Sequence, residues 1–276
     1  MQFCIMKFRW MKTNAQRSSL SISFIFVGLF QAHSQESSVS EELITDRPDQ
    51  TESPSLVSKG SIQVETGFFY ENSENQNINE KSYGYNTSLF RYGLLDNLEL
   101  RLGFDFLESK TELNNLDFGN RDAGFSPLLV GVKVGIAKES GLLPEIGLLG
   151  HLYLPFSVSK GVRPETTGVD FRFSFNHTLT ENSSISYNLG AKWGEDSPES
   201  SYLYTLVYGY DLNEKFGLYV EVYGDLPEND TSDHFWDAGI TYKLKNNIQL
   251  DALIGTGIDN SQKLIFGGGI SFRLPK

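Results

Sequence analysis

Apolar and polar residues alternate one for one through most of the sequence after Ser61. In "NLELRLGFDFLE", residues 97–108, leucine and phenylalanine occupy every second position from 98 to 106, and Glu99, Arg101 and Asp105 lie between them. A period of two places the two sets on opposite faces of a β-strand. The pattern predicts about twelve strands, centred near residues 66, 87, 102, 131, 149, 173, 188, 206, 220, 240, 252 and 269. Helical periodicity is almost absent, which indicates an all-β fold.

The connections between the predicted strands alternate in length. Short ones such as "LLDN", "TENS" and "KNN" are rich in the residues that favour tight turns. Longer polar links lie between them, among them "ENSENQNINEKS" and "ESKTELNNLDFGNRDAG". Short turns at one edge and longer links at the other are typical of an up-and-down antiparallel transmembrane β-barrel. An even number of strands also brings both ends of the barrel to the same side.

Alternation alone does not say which face points inward. A soluble β-sandwich or lipocalin-like barrel would bury the apolar face, whereas a membrane barrel turns that face towards lipid. The polar face mixes both signs of charge with Gly, Ser and Asn, as suits a polar lumen. Aromatic residues make up 13% of the chain, and several lie near predicted strand ends, where interfacial rings collect: Tyr70, Tyr92, Tyr153, Trp193, Tyr210, Tyr223, Trp236 and Tyr242. We therefore favour the transmembrane barrel, with outer-membrane lipid as its surroundings.

Residues 1–34 have the pattern of a signal peptide for export. Four basic residues precede the apolar run "LSISFIFVGLF", and small residues follow it in "AHS". Removal of this part would take the net charge from −12 to −16 and leave no cysteine. So acidic a chain is a poor partner for nucleic acid, whose phosphates need Lys and Arg.

A polar, proline-broken stretch precedes the first predicted strand. The run "TDRPDQTESPSLVSKGSIQVETG", residues 45–67, resembles the beginning of the outer-membrane family called "Putative MetA-pathway of phenol degradation". The resemblance implies a transporter barrel related to the long-chain fatty-acid transporters.

The resemblance also suggests how the chain is divided. Residues 35–60 are expected to form a plug-like or periplasmic segment, and residues 61–276 the barrel in the outer membrane. We expect Asp46, Arg47, Asp49 and Glu52 to pair with charges in the lumen, while Pro48 and Pro54 keep the segment out of any strand ladder. A disordered periplasmic tail is the alternative.

The function that this resemblance implies is passive, porin-like uptake of small hydrophobic compounds, aromatic ones among them, without a cofactor. Two alternatives stay open: a structural or adhesive barrel without transport, and a barrel hydrolase acting on membrane lipids. The predicted lumen residues either form ion pairs with one another and so support the wall, or they determine the selectivity of the channel. They are Glu65, Glu99, Arg101, Asp105, Lys133, His151, Asp170, Arg172 and Lys192.

Catalytic and metal-binding motifs are missing from the sequence. A hydrolase would need a nucleophile beside a base, and after residue 34 the only histidines are His151, His177 and His234. Neither a G-x-S-x-G elbow nor an H-E-x-x-H pair occurs. We therefore predict no catalytic residue and no metal site.

Overall fold

Thirteen strands, each antiparallel to its neighbours, make up most of the part of the chain that the structure describes. In this computed structural model the described residues are 43–75, 77–113, 116–155, 166–194, 199–258 and 260–274. The strands are β1 (Ile62–Asn75), β2 (Ile78–Leu95), β3 (Leu98–Leu113), β4 (Leu116–Phe125), β5 (Leu128–Ala137), β6 (Glu145–Leu154), β7 (Gly168–Thr180), β8 (Ser183–Trp193), β9 (Ser200–Asp211), β10 (Phe216–Pro227), β11 (Asp233–Lys245), β12 (Ile248–Ile258) and β13 (Gln262–Arg273). Within these residues no helix is long and apolar enough to cross a membrane. The predicted signal peptide lies outside them.

The strands close into a ring. β1 pairs with β2 on one side and with β13 on the other, and consecutive pairings complete the circle. The long strand β3 pairs with β5 through residues 98–103 and with β4 through residues 106–113, so β4 and β5 share one position. The ring therefore has twelve positions, and each predicted strand centre falls within one of them. The predicted antiparallel barrel of about twelve strands is confirmed.

β4 and β5 follow one another at this shared position of the ring and are separated by Ser126 and Pro127. Proline has no N–H to give to a ladder, and the Ser126 side chain replaces part of what is lost. The Ser126 N–H donates to the Asp105 carbonyl at 2.9 Å, and the Asp105 N–H donates to Ser126 Oγ at 3.1 Å.

Two of the predicted polar links are strands. Residues 71–75 and 78–82 form the end of β1 and the start of β2, and residues 108–113 and 116–124 form the end of β3 and most of β4. Their sequences lack apolar alternation because charged side chains pair there, as Lys81 does with Glu112 at 2.7 Å and Lys110 with Glu108 at 3.1 Å. A period-two pattern is visible only where one strand face is apolar, so these strand ends were missed.

The barrel is inverted relative to a soluble protein. Leu102 and Ile254 expose 42% and 57% of their surface on the outside, whereas Glu99 and Lys133 on the inner face are 0% exposed. Exposed apolar side chains with charged residues inside form the pattern of a barrel that faces lipid outside and a polar lumen inside. This finding favours the membrane barrel over the soluble alternatives.

Two of the aromatic residues predicted for the membrane interfaces face the lumen instead. The Tyr153 hydroxyl donates to Asp170 Oδ2 at 2.6 Å, and Tyr223 lines an internal cavity with Arg172. Each shares its strand face with an inward residue two positions away, His151 and Glu221. Alternation therefore decides their direction, although both lie near strand ends.

A charge on the outer face should destabilise the barrel. We expect Leu102→Arg to lower the free energy of unfolding in lipid vesicles by about 2–4 kcal/mol, because the guanidinium would face hydrocarbon. The matched control is Leu142→Arg in the turn after β5, where leucine is 96% exposed and little change is expected. Urea unfolding followed by tryptophan fluorescence measures both, and equal stability of the two variants would contradict the lipid-facing assignment.

Candidate functional site

The interior of the barrel is crossed by residues 43–60, which we call the lumen segment. Its groups hydrogen-bond to inward side chains on strands spaced around the ring: Glu65 on β1, Glu99 on β3, Lys133 on β5, Asn188 on β8, Glu221 on β10 and Asp251 on β12. Asp46, Thr51 and Val57 are buried there. The segment is thus fixed mainly by side chains of the wall, and a backbone bridge forms only near its end, between Lys59 and Gly93.

Three cations lie together on one side of the lumen and form what we call the cationic cluster: Arg91, Arg101 and Lys133. Two wall carboxylates lie among them. Arg91 Nε is 2.8 Å from Glu99 Oε1 and Arg91 Nη1 is 2.8 Å from Glu65 Oε1, while Arg101 Nη1 is 3.2 Å from Glu99 Oε1. The wall alone therefore carries one more positive than negative charge in this cluster.

Asp46 of the lumen segment supplies the missing negative charge. Its Oδ2 lies 2.7 Å from Arg101 Nη1, 2.9 Å from Lys133 Nζ and 3.1 Å from Arg91 Nη1. Burial alone would raise the pKa of Asp46, but the three cations hold this pKa well below its ordinary value. Asp46 is therefore ionised, and it makes the cationic cluster neutral.

Glu52 continues the same pattern further along the lumen segment. Arg101 Nη2 lies 2.7 Å from Glu52 Oε2. The Glu52 main chain is held by Asn188, whose side chain accepts from the Glu52 N–H at 2.8 Å and donates to the Glu52 carbonyl at 2.9 Å. The Glu52 side chain keeps 17% of its surface exposed, against 3% for Asp46. It is the more accessible of the two carboxylates.

A second network lies beside Glu52 on β6 and β7. Asp170 accepts from the Tyr153 hydroxyl, lies 2.9 Å from His151 Nδ1, and lies 3.4 Å from Arg172 Nη2. The other ring nitrogen of His151 is buried and has no hydrogen-bond partner among the described residues. The network holds His151 against the wall, in place over Gly131.

The opposite side of the lumen is acidic. We call Glu221, Asp237 and Asp251 the acidic wall. Arg47 of the lumen segment pairs with Asp251 at 3.0 Å, the Gln50 N–H donates to Glu221 Oε2 at 2.8 Å, and the Thr51 hydroxyl also contacts Glu221. The segment thus presents carboxylates to the cationic cluster and donors to the acidic wall.

Asp49 departs from this complementarity. It was expected to pair with a charge of the lumen, but it lies near Glu221 and Asp237, which carry the same sign. Burial and the adjacent Glu221 raise the pKa of Asp49 well above its ordinary value. Asp49 is the member of the segment whose charge opposes docking.

The remaining predicted lumen residues, Lys192 and Asp105, also lie on the inner face. Lys192 forms an ion pair with Asp225 at 2.7 Å, and both side chains are well exposed. Asp105 lines a cavity near Arg47. Their roles in selectivity stay predictions.

Arg91, central to the cluster, was missed by the sequence reasoning. It follows a register irregularity between Gly84 and Asn86 that disturbs the alternation on β2. The outward residues Phe90 and Tyr92, which flank it, are the signal that points Arg91 inward.

Cavities lie on both sides of the lumen segment. One of about 410 Å³ adjoins the turns at residues 181–182 and 211, on the edge where β1 begins and β13 ends. Another, of about 360 Å³, lies towards the other edge and is lined by Phe69 and Leu107. A groove of about 830 Å³ on the outer surface, lined by residues such as Leu102 and Phe171, faces the lipid. Among the described residues no group of three or more His, Cys, Asp or Glu is placed to hold a metal ion.

The fold and the interior define a class: a closed transmembrane β-barrel whose polar lumen is crossed by the N-terminal part of the chain. The chain belongs to the family described as "Putative MetA-pathway of phenol degradation", whose model matches residues 45–274. The match begins within the lumen segment, so the segment belongs to the family pattern together with the barrel.

Solved structures share the fold. An outer membrane channel from Pseudomonas putida F1 is 12% identical with a TM-score of 0.65, and the alignment covers 79% of this chain and 97% of that one. The translocator domain of the autotransporter NalP from Neisseria meningitidis is 11% identical with a TM-score of 0.50, covering 80% and 90%. No curated protein matches the sequence. Because one of these proteins is a channel and the other a translocator domain, the shared fold alone does not determine a function.

Asp46 and Asp49 should respond oppositely to the same substitution. Asp46→Asn leaves the cationic cluster with an unbalanced charge, so docking of the lumen segment should weaken by about 3–5 kcal/mol. Asp49→Asn removes a repelled charge and should strengthen docking. Hydrogen exchange of the Val57 amide, which donates to Glu99 at 2.8 Å, reports docking in both variants.

The raised pKa of Asp49 also predicts that docking of the lumen segment depends on pH. The pKa of Asp49 lies near the ordinary 3.8 when the segment is free and higher when it is docked. Docking therefore takes up a proton above pH 3.8 and weakens as pH rises from there towards the raised pKa. Asp49→Asn should reduce this slope, and a slope that the substitution leaves unchanged would contradict the assignment.

Close packing against the wall gives an independent prediction. A Cβ atom at Gly147 would lie 3.0 Å from Pro54 Cα, whereas one at Gly150 would meet nothing within 4 Å. Gly147→Val should therefore displace the segment and speed exchange of the Val57 amide, while Gly150→Val should not. Equal exchange in both variants would show that the wall does not hold Pro54.

Proposed function

We propose that the protein is a passive channel of the bacterial outer membrane for small hydrophobic compounds, closed at rest by the lumen segment. The observation that carries the proposal is the pair of cavities on either side of the segment inside a closed ring. In this proposal residues 43–60 block the passage through the barrel between the two cavities. The family membership and the membrane-facing exterior support the same conclusion.

The orientation follows from the connections. The edge with the start of β1 and the end of β13 also carries the turns at 96–97, 181–182 and 246–247. Short turns of outer-membrane barrels lie in the periplasm, so we place this edge there and the Phe69 cavity towards the cell exterior. Residues 1–34 would direct export to this membrane.

The Phe69 cavity, which lies towards the cell exterior, suits an apolar solute. Phe69 and Leu107 contribute its apolar surface, while Glu71, Ser82 and Ser109 give it a polar rim. Small-molecule sites commonly combine an apolar lining with a few polar groups. A solute would enter this cavity, and displacement of the lumen segment would open the way to the periplasm. No energy source is needed for such downhill passage.

A structural barrel without transport is the second candidate. The specific observation in its favour is the number of buried ion pairs that fix the segment, from Asp46 with the cationic cluster to Arg47 with Asp251. If those pairs never open, the protein would not conduct. The two candidates differ in whether the segment leaves the lumen.

Deletion of residues 36–58 should distinguish them. In planar bilayers we expect the deletion to raise single-channel conductance severalfold over the full chain, because the ring stays closed by its own ladders. Deletion of residues 36–42 alone, which spares the lumen segment, is the matched control and should leave conductance unchanged. Unchanged conductance after the longer deletion would overturn the plug, and uptake of an aromatic solute by proteoliposomes would test the channel itself.

A further inference from the structure

The two sides of the lumen carry opposite charge once the lumen segment is set aside. Arg91, Arg101, Lys133 and Arg172 face Glu221, Asp237 and Asp251 across the interior, and the wall carboxylates beside the cations are too few to balance them. On the cationic side Asp46 supplies the missing negative charge and Glu52 pairs with Arg101, and on the acidic side Arg47 pairs with Asp251. On the cationic side, the segment therefore occupies positions suited to carboxylates.

Glu52 is the carboxylate that a solute could replace. Its single ion pair within 4.0 Å among the described residues is with Arg101, whereas Asp46 is held by three cations. It also retains more exposed surface than Asp46 and lines a cavity of about 360 Å³. Displacement of Glu52 thus breaks fewer contacts than displacement of Asp46.

The guanidinium groups around Glu52 have donors to spare. Arg101 Nε and Arg172 Nε are both buried and have no hydrogen-bond partner among the described residues. A buried donor without a partner costs free energy that a ligand can recover. Planar guanidinium groups bind carboxylates through two parallel hydrogen bonds, so the unused donors point to an anion with two oxygens.

The lining of the cavity beside Glu52 is partly charged and partly apolar. Arg101, Arg47, Glu52, Glu65 and Asp105 are its charged residues, and Leu89, Leu129 and Pro127 contribute apolar surface. Its volume of about 360 Å³ lies near the lower end of the ~300–1,000 Å³ of small-molecule sites. A solute with a charged head and a compact apolar body, such as one aromatic ring, would match both parts.

We propose that the solutes of this channel include compact apolar carboxylates, and that a solute carboxylate takes the place of Glu52 on Arg101. The exchange of one carboxylate for another keeps the Arg101 guanidinium paired with a carboxylate, which a neutral solute of the same shape cannot do. The departing Glu52 loosens the lumen segment, so binding of the solute and opening of the channel are linked. This inference rests on the proposed function.

The test compares benzoate with benzamide, which has nearly the same shape and no charge, on the purified full chain in detergent. Isothermal titration calorimetry at pH 7.5 should show benzoate binding and at least about tenfold weaker binding of benzamide. Glu52→Gln removes the competing carboxylate and should tighten benzoate binding by about tenfold. Glu228→Gln, the same change in an exposed link whose carboxylate contacts Ser200, is the control and should leave the affinity as it is.

Hydrogen exchange gives the second readout. Benzoate should speed exchange of the Glu52 amide in the full chain, and benzamide should not. Equal binding of the two compounds, or no effect of Glu52→Gln on benzoate affinity, would overturn the inference. Conductance after deletion of residues 36–58 is measured in parallel. If the deletion variant conducts but the full chain does not bind benzoate, the carboxylate site is refuted and the channel is not. If the deletion variant does not conduct, the channel itself is refuted.

Discussion

The interior of this barrel depends on one buried carboxylate. Arg91, Arg101 and Lys133 come from three different wall positions, and Glu65 and Glu99 neutralise only two of them. Asp46 contacts all three cations at 2.7–3.1 Å. A buried charge that is left unpaired is costly. The lumen segment therefore stabilises the charged wall, and the wall in turn holds the segment in place. That mutual requirement explains why a polar stretch with two prolines, unable to form a core, has a defined place.

The same charge pairs fix the orientation of the segment in the lumen. Carboxylates face the cationic cluster and donors face the acidic wall, so a reversed or shifted segment would set like charges together. Asp49 is the exception, since it lies beside Glu221 and Asp237. One repelled group within an otherwise complementary set lowers the stability of the docked state, which is consistent with the proposed release of the segment from the lumen.

The sequence contained more of the fold than of the site. Twelve strand positions and the two faces of each strand follow from alternation, since each strand has one apolar face. The ends of β1 to β4 were not predicted because both strand faces are polar there. Tyr153 and Tyr223 were assigned to the membrane interface because they lie near strand ends, although alternation along their strands places them on the inner face. Arg91 was missed where a register irregularity disturbs the pattern. The nine predicted lumen residues lie on the inner face, yet nothing in their spacing indicates which of them meet.

The sequence by itself determined an all-β fold of about twelve strands, each with one apolar face, and it favoured a membrane barrel over a soluble one. It also indicated that the polar stretch before β1, with its two prolines, would not form a long strand. Which charges meet was decided only by the tertiary structure. The ring brings residues as distant in sequence as Arg47 and Asp251 within 3.0 Å, and closure of the ring sets the cationic cluster opposite the acidic wall. Electrostatic balance depends on distances across a closed lumen, and those distances exist only after β13 has paired with β1.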